Sequence, residues 1–151
     1  MSNHNSIDEI LDFAIEKEEE AFQFYTQLAS SMKRPSMQGI FHDFASEEKL
    51  HKEKLEALKK ENLSIPESEK VIDLKISDYL VDAETGPEMD YQQALIVAMK
   101  KEKSAYKLYI DLADKTQDEN VGKMFLFLAH EEAKHKLRIE IEYDDYILKE
   151  N

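Results

Sequence analysis

Displacing the chain by 84 residues lays one half of it on the other without a gap. Ala14–Ala29 (AIEKEEEAFQFYTQLA) falls on Ala98–Ala113 (AMKKEKSAYKLYIDLA), with seven of sixteen positions identical. These are Ala14/Ala98, Lys17/Lys101, Glu18/Glu102, Ala21/Ala105, Tyr25/Tyr109, Leu28/Leu112 and Ala29/Ala113. The same displacement sets Met37–Leu55 on Val121–Ile139 and pairs Phe41/Phe125, Ala45/Ala129, Glu47/Glu131, Glu48/Glu132, His51/His135 and Lys52/Lys136. Two stretches sharing one offset mark a duplicated unit, and a repeat dictates architecture before any local pattern does. Two copies are too few for a solenoid. They close most simply into a bundle.

The unit is a helical hairpin. From Ile7 to Ser30 apolar residues recur every three or four positions (Leu11, Ala14, Ala21, Tyr25, Leu28), the signature of an amphipathic helix. Ser6-Ile7-Asp8-Glu9 reads as a capping box at its start. Pro35 opens a second helix that runs to about Glu61 and carries Phe41, Phe44, Leu55 and Leu58 on one stripe. A third helix is expected from about Pro87 to Lys115. After a turn at Thr116–Glu119, a fourth should end near Lys149. Between the hairpins, Asn62–Asp90 contains Pro66, Gly86 and Pro87 and reads as a crossover with a short helix near Leu74–Val81. The expected architecture is all-α, a four-helix bundle with one long crossover between helices 2 and 3. We read residues 1–151 as one domain, with hairpins at about 7–61 and 88–149 joined by a crossover at about 62–87.

Composition removes several alternatives. Three glycines and three prolines in 151 residues are too few for the turns of an all-β protein. A net charge of −13 disfavours nucleic acid and anionic membranes as partners. The absence of cysteine excludes disulfides, thiol catalysis and Cys-ligated metal centres within the chain. Met1–Ser6 has no apolar core of a signal peptide, and no stretch approaches the length of a membrane span, so a cytoplasmic protein is expected.

The repeat also sorts the glutamates of the first helix. Opposite Glu16, Glu19 and Glu20 stand Lys100, Lys103 and Ser104, whereas Glu18 faces Glu102. Glu18 and Glu102 lie on the apolar stripes of their helices, where a carboxylate is costly unless paired or neutralised. Helices 2 and 4 each carry Glu-x-x-His, as Glu48/His51 and Glu132/His135, and the i, i+3 spacing puts both side chains on the apolar face. Four carboxylates and two imidazoles thus converge on the middle of one core. Two divalent metal ions would offset the four negative charges. One imidazole per metal among carboxylates suits iron or manganese, with zinc able to compete. Glu47 and Glu131, also repeated, read as helix-surface residues or alternative ligands. Tyr25 and Tyr109 read as core tyrosines with a hydrogen bond, and His4, His42 and His130 as exposed or locally bonded.

The ordered set Glu18-x-x-Ala21-x-x-Phe24-Tyr25, Glu48-x-x-His51, Glu102-x-x-Ala105-x-x-Leu108-Tyr109 and Glu132-x-x-His135 resembles the rubrerythrin branch of the ferritin-like superfamily. That resemblance spans all four helices. It implies a di-iron centre ligated by Glu18, Glu48, His51, Glu102, Glu132 and His135, with Tyr25 and Tyr109 beside it. Rubrerythrins usually carry a Cys-rich rubredoxin domain, so this cysteine-free chain would take electrons from an external, rubredoxin-like donor. Typical members also have a further glutamate three residues after the helix-3 ligand. Here that position is Ala105, and the symmetric ligand set looks closer to bacterioferritin or ribonucleotide-reductase-like sites.

The resemblance implies an oxidoreductase that reduces hydrogen peroxide or dioxygen at two iron ions and protects against oxidative stress. The alternatives are a ferroxidase that oxidises and hands on iron, and a non-enzymatic protein with a structural site filled by zinc. A homodimer is expected from the family.

Overall fold

The computed structural model describes residues 4–61, 71–73 and 90–150. Four long helices dominate: α1 (Ile7–Ser31), α2 (Pro35–Glu61), α3 (Tyr91–Lys115) and α4 (Glu119–Glu150). Two strands of three residues, β1 (His4–Ser6) and β2 (Val71–Asp73), pair antiparallel with Asn5 opposite Ile72. The sequence predicts no strand. His4-Asn5-Ser6 is polar and short, and its pairing depends on a partner 65 positions or more away in sequence. The expected short helix near Leu74–Val81, and most of the crossover, lie outside the described residues.

Local chemistry sets the helix boundaries. Pro35 is the first residue of α2, where its fixed φ costs nothing and its missing N–H has no partner to lose. In the preceding turn the Gln38 side-chain amide donates to the Met32 carbonyl at 2.7 Å. α3 starts at Tyr91 instead of near Pro87, because Asp90 caps it. The Asp90 carboxylate accepts from Gln93 N at 2.7 Å, and the Gln93 side chain accepts from Asp90 N at 3.2 Å. This reciprocal capping box satisfies two N–H groups that the first turn leaves unpaired. Asp118 does similar work for α4, accepting from Val121 N at 3.0 Å. α1 begins at Ile7 as the Ser6–Glu9 pattern predicts.

Side chains divide the interior into two apolar layers. One unites Ile7, Ile10, Leu11 and Ala14 of α1 with Leu55 and Leu58 of α2, Leu108, Tyr109 and Leu112 of α3 and Val121, Phe125, Leu128 and Ala129 of α4. The other unites Phe24, Tyr25, Leu28 and Ala29 of α1 with Ile40, Phe41, Phe44 and Ala45 of α2, Tyr91, Ala94, Leu95, Val97 and Ala98 of α3 and Ile139 of α4. The start of α1 and the ends of α2 and α3 therefore share one layer, and the starts of α2 and α3 share the other. Helices 2 and 3 run the same way, so α2 ends and α3 begins at opposite ends of the bundle, the arrangement that a single long crossover serves. The gaps between the layers fall at residues 18, 48–51, 102 and 132–135. Every one of these four helices interrupts its apolar stripe at the same height, with an acid.

Candidate metal centre

Glu18, Glu48, His51, Glu102, Glu132 and His135 are all at most 4% exposed. Burying four carboxylates among apolar layers is expensive unless something compensates them. Their ligating atoms fall into two groups, Glu18–Glu48–His51–Glu132 and Glu48–Glu102–Glu132–His135, and within each group all atoms lie within 4.8 Å of one another. Glu48 and Glu132 belong to both. Each group draws three residues from one hairpin and one from the other.

The contacts repeat the symmetry of the sequence. His51 Nδ1 lies 2.9 Å from Glu132 Oε1, and its repeat mate His135 Nδ1 lies 3.2 Å from Glu48 Oε1. Tyr25 donates to Glu102 Oε1 at 2.6 Å, and Tyr109 donates to Glu18 Oε1 at 2.5 Å. Each hairpin thus lends a phenol and an imidazole to the carboxylates of the other. Both tyrosines are held by their own hairpin. Tyr25 stacks on Phe41 with centroids 6.1 Å apart, and Tyr109 on Phe125 at 6.2 Å.

Electrostatics sort the six residues. Burial first, and then the charges of Glu18 and Glu102, push Glu48 well above the ordinary carboxylate range. Glu132 is pushed the same way by burial and by Glu102, Glu48 and Glu18. Burial also acts to raise Glu102, but its interactions with Glu132, with the His135 imidazole and with the Tyr25 hydroxyl outweigh it and bring this carboxyl below its usual value. Burial acts to lower His51, yet hydrogen bonds to Glu132 and Glu18 carry it up to about 10. His135 rises against the same burial penalty through Glu102 and Glu47. Both phenols are raised well above their ordinary value, by burial first and then by nearby carboxylates, so they remain donors.

The protein's own donors do not satisfy the cluster. Among the described residues, Glu18 Oε2, Glu48 Oε1, Glu102 Oε2, Glu132 Oε2 and His135 Nδ1 are buried without a hydrogen-bond partner. Orphaned buried oxygens converging on two points are what a pair of cations would satisfy, and the carboxylate–imidazole donor set suits iron.

A model of the rubrerythrin family matches residues 9–143. The chain belongs to the rubrerythrin family. Among solved structures, a Thermotoga maritima protein described as a ferritin-like diiron-carboxylate protein superposes with a TM-score of 0.79 at 21% identity, over 95% of this chain and 97% of that one. A hypothetical protein of Pyrococcus furiosus superposes with a TM-score of 0.72 at 27% identity, over 92% of this chain and 89% of that one. None of the curated proteins matches. The ferritin-like fold expected from the rubrerythrin resemblance is therefore the fold of this chain, and its buried Glu/His cluster fits a di-iron centre.

The structure brings all six sequence-derived candidate ligands together and sets both tyrosines against them. It corrects the surface reading of Glu47. That side chain is half exposed, but its Oε2 meets His135 Nε2, leaving Nδ1 turned toward the carboxylates. Its repetition as Glu131 was the available signal. Glu131 itself pairs with Lys134 at 2.9 Å. Lys17 and Lys101, matched in the repeat but given no role there, both line the cavity that leads to the cluster. His42 and His130 are exposed, as read; the side chain of His4 lies outside the described ones. Among the described residues no helix is long and apolar enough to cross a membrane.

Proposed function

We propose that this rubrerythrin-family chain is a di-iron oxidoreductase that reduces hydrogen peroxide, or dioxygen, with electrons from a separate rubredoxin-like donor. The observation that carries the reading is the sharing of Glu48 and Glu132 between two groups, each completed by its own glutamate and histidine. In this reading Glu18 and His51 would hold one iron and Glu102 and His135 the other, with Glu48 and Glu132 available to both. Two iron ions so held supply the two electrons that, with two protons, convert hydrogen peroxide to two waters. Tyr109 and Tyr25 orient the outer carboxylates Glu18 and Glu102 through their Oη–H groups. Glu47 fixes the ring of His135. The apolar layers above and below exclude bulk water, which strengthens every charge interaction inside. Pairing of bundles into a homodimer is supported by Leu126, Leu137, Ile141 and Leu148, which stand exposed along α4.

The test is anaerobic loading with Fe(II), counting of metal per chain, and stopped-flow absorbance on mixing with hydrogen peroxide and, separately, dioxygen. About two irons per chain, oxidised much faster by peroxide, is the expected result. Faster reaction with dioxygen, and oxidation of many irons per chain, would replace it with a ferroxidase. A pair of inert ions such as zinc would remove the enzymatic claim.

A further inference from the structure

Beside the carboxylates a cavity of about 110 Å³ opens between α1 and α3. Its floor is Glu18, Glu48, Glu102 and Glu132, none more than 2% exposed. Its rim is built from the repeat. Lys17 and Lys101 stand one residue before the outer glutamates, and Ala21 and Ala105 stand three residues after them. The alanines leave the volume open, with room for a few water-sized molecules.

The charged residues of the rim break the repeat at one place, where Glu20 faces Ser104. Lys17 Nζ therefore pairs with Glu20 at 3.2 Å, whereas Lys101 Nζ stands over the ring of Phe24, 5.0 Å from its centroid. Two ammonium groups against one carboxylate make the rim positive on a chain whose net charge is −13.

We infer that this cavity admits small monoanions to the metal centre and that Lys17 and Lys101 select them over divalent cations. The inference deepens the di-iron reading and rests on it. Two divalent ions formally cancel the four floor carboxylates, and the charge a visitor meets is then that of the rim. A cleft lined with one sign of charge concentrates ions of the other. The chemical class admitted is the anionic forms of reduced oxygen, superoxide or hydroperoxide, and inorganic anions of that size.

The test uses the full-length protein loaded anaerobically with Fe(II), wild type beside Lys17→Gln/Lys101→Gln. Azide serves as the anionic probe and nitric oxide as a neutral one, both read spectroscopically without turnover. Both proteins should hold about two irons. The charge-removed variant should bind azide about five- to tenfold more weakly and nitric oxide equally well, an effect of the size expected for two partly solvated charges. Lys17→Arg/Lys101→Arg should keep wild-type azide affinity, and added salt should weaken azide binding to wild type and to the arginine variant but not to the glutamine variant. Equal azide affinity in wild type and the glutamine variant would overturn the inference, and so would a parallel loss of nitric oxide binding. A wild-type protein that takes up no iron would instead refute the di-iron reading itself.

Discussion

Replacing Glu132 by glutamine should make the metal-free protein more stable while destroying its metal centre. Glu132 is fully buried, and the ligating oxygens of Glu18, Glu48 and Glu102 all lie within 4.8 Å of its own. Two unit charges at 4.8 Å repel by about 3.5 kcal/mol at an effective dielectric constant near 20. Protonation relieves part of this repulsion. Opposing it is the contact of Glu132 Oε1 with His51 Nδ1 at 2.9 Å, a charge-assisted bond of about 1.5–3 kcal/mol. Glutamine has nearly the same volume and keeps a carbonyl acceptor for His51, so most of that bond survives while the negative charge goes. The net expectation is a gain of about 1–2 kcal/mol, in line with what removal of buried charge yields elsewhere. Urea unfolding of chelator-treated wild type and variant, followed by circular dichroism, reads the difference. Metal counting after Fe(II) loading should fall from about two irons per chain to one or none, since Glu132 belongs to both groups. A metal-free variant weaker than wild type by more than about 2 kcal/mol would show that Glu132 serves chiefly to pair His51. Two irons bound as tightly as in wild type would refute its assignment as a shared ligand.

Two further outcomes are expected. Tyr109→Phe keeps the ring stacked on Phe125 but removes the donor to Glu18, so the metal-free protein should lose about 1.5–3 kcal/mol in urea unfolding. Because the phenol is not a ligand, the variant should still count about two irons per chain, and loss of iron would contradict its supporting role. The pH dependence of stability should change sign with metal. Glu48 and Glu132 are raised in the folded chain, so their contribution is whole below the ordinary value of 4.5 and is lost as pH rises through the folded values. His51 acts in the same sense, fully below 6.5 and fading toward about 10. Chelator-treated protein should therefore lose stability from these groups as pH rises, by up to about 1.4 kcal/mol per pH unit for each proton released. The iron-loaded protein should gain stability over the same range, because its ligands must shed protons to bind. Parallel slopes in urea titrations with and without iron would overturn this.

Much of the site was legible because the repeat separates function from background. Glu16, Glu18, Glu19 and Glu20 are indistinguishable by composition, but only Glu18 meets a glutamate 84 residues on, and only it lies among apolar neighbours. A buried acid violates the helical pattern, and a violation occurring four times at one height has few explanations. What escaped the reading depends on geometry that periodicity does not carry. Pro87 and Asp90 both announce a helix start, and the Asp90–Gln93 capping box, not the proline, sets it. The β1–β2 pair joins segments far apart in sequence by a backbone ladder. Glu47 is half exposed and still reaches His135 across the bundle, because a glutamate can keep its stem in solvent and its carboxylate on a buried ring. Its retention in both halves was the clue, as it was for Lys17 and Lys101.

The exchange of contacts between hairpins has an evolutionary corollary. Tyr25 meets Glu102 while Tyr109 meets Glu18, and His51 meets Glu132 while His135 meets Glu48. This is the contact map of an isologous dimer written into one polypeptide. Neither half contains all four members of either ligand group, so an ancestral hairpin could build the centre only by meeting its twin. In such a twin every substitution happens twice, and a rim with glutamate on one side would carry glutamate on the other. Fusion released that constraint. The substitution that makes Glu20 and Ser104 differ, and gives the entrance its one-sided charge, was open to the protein only after its two halves had become separately mutable.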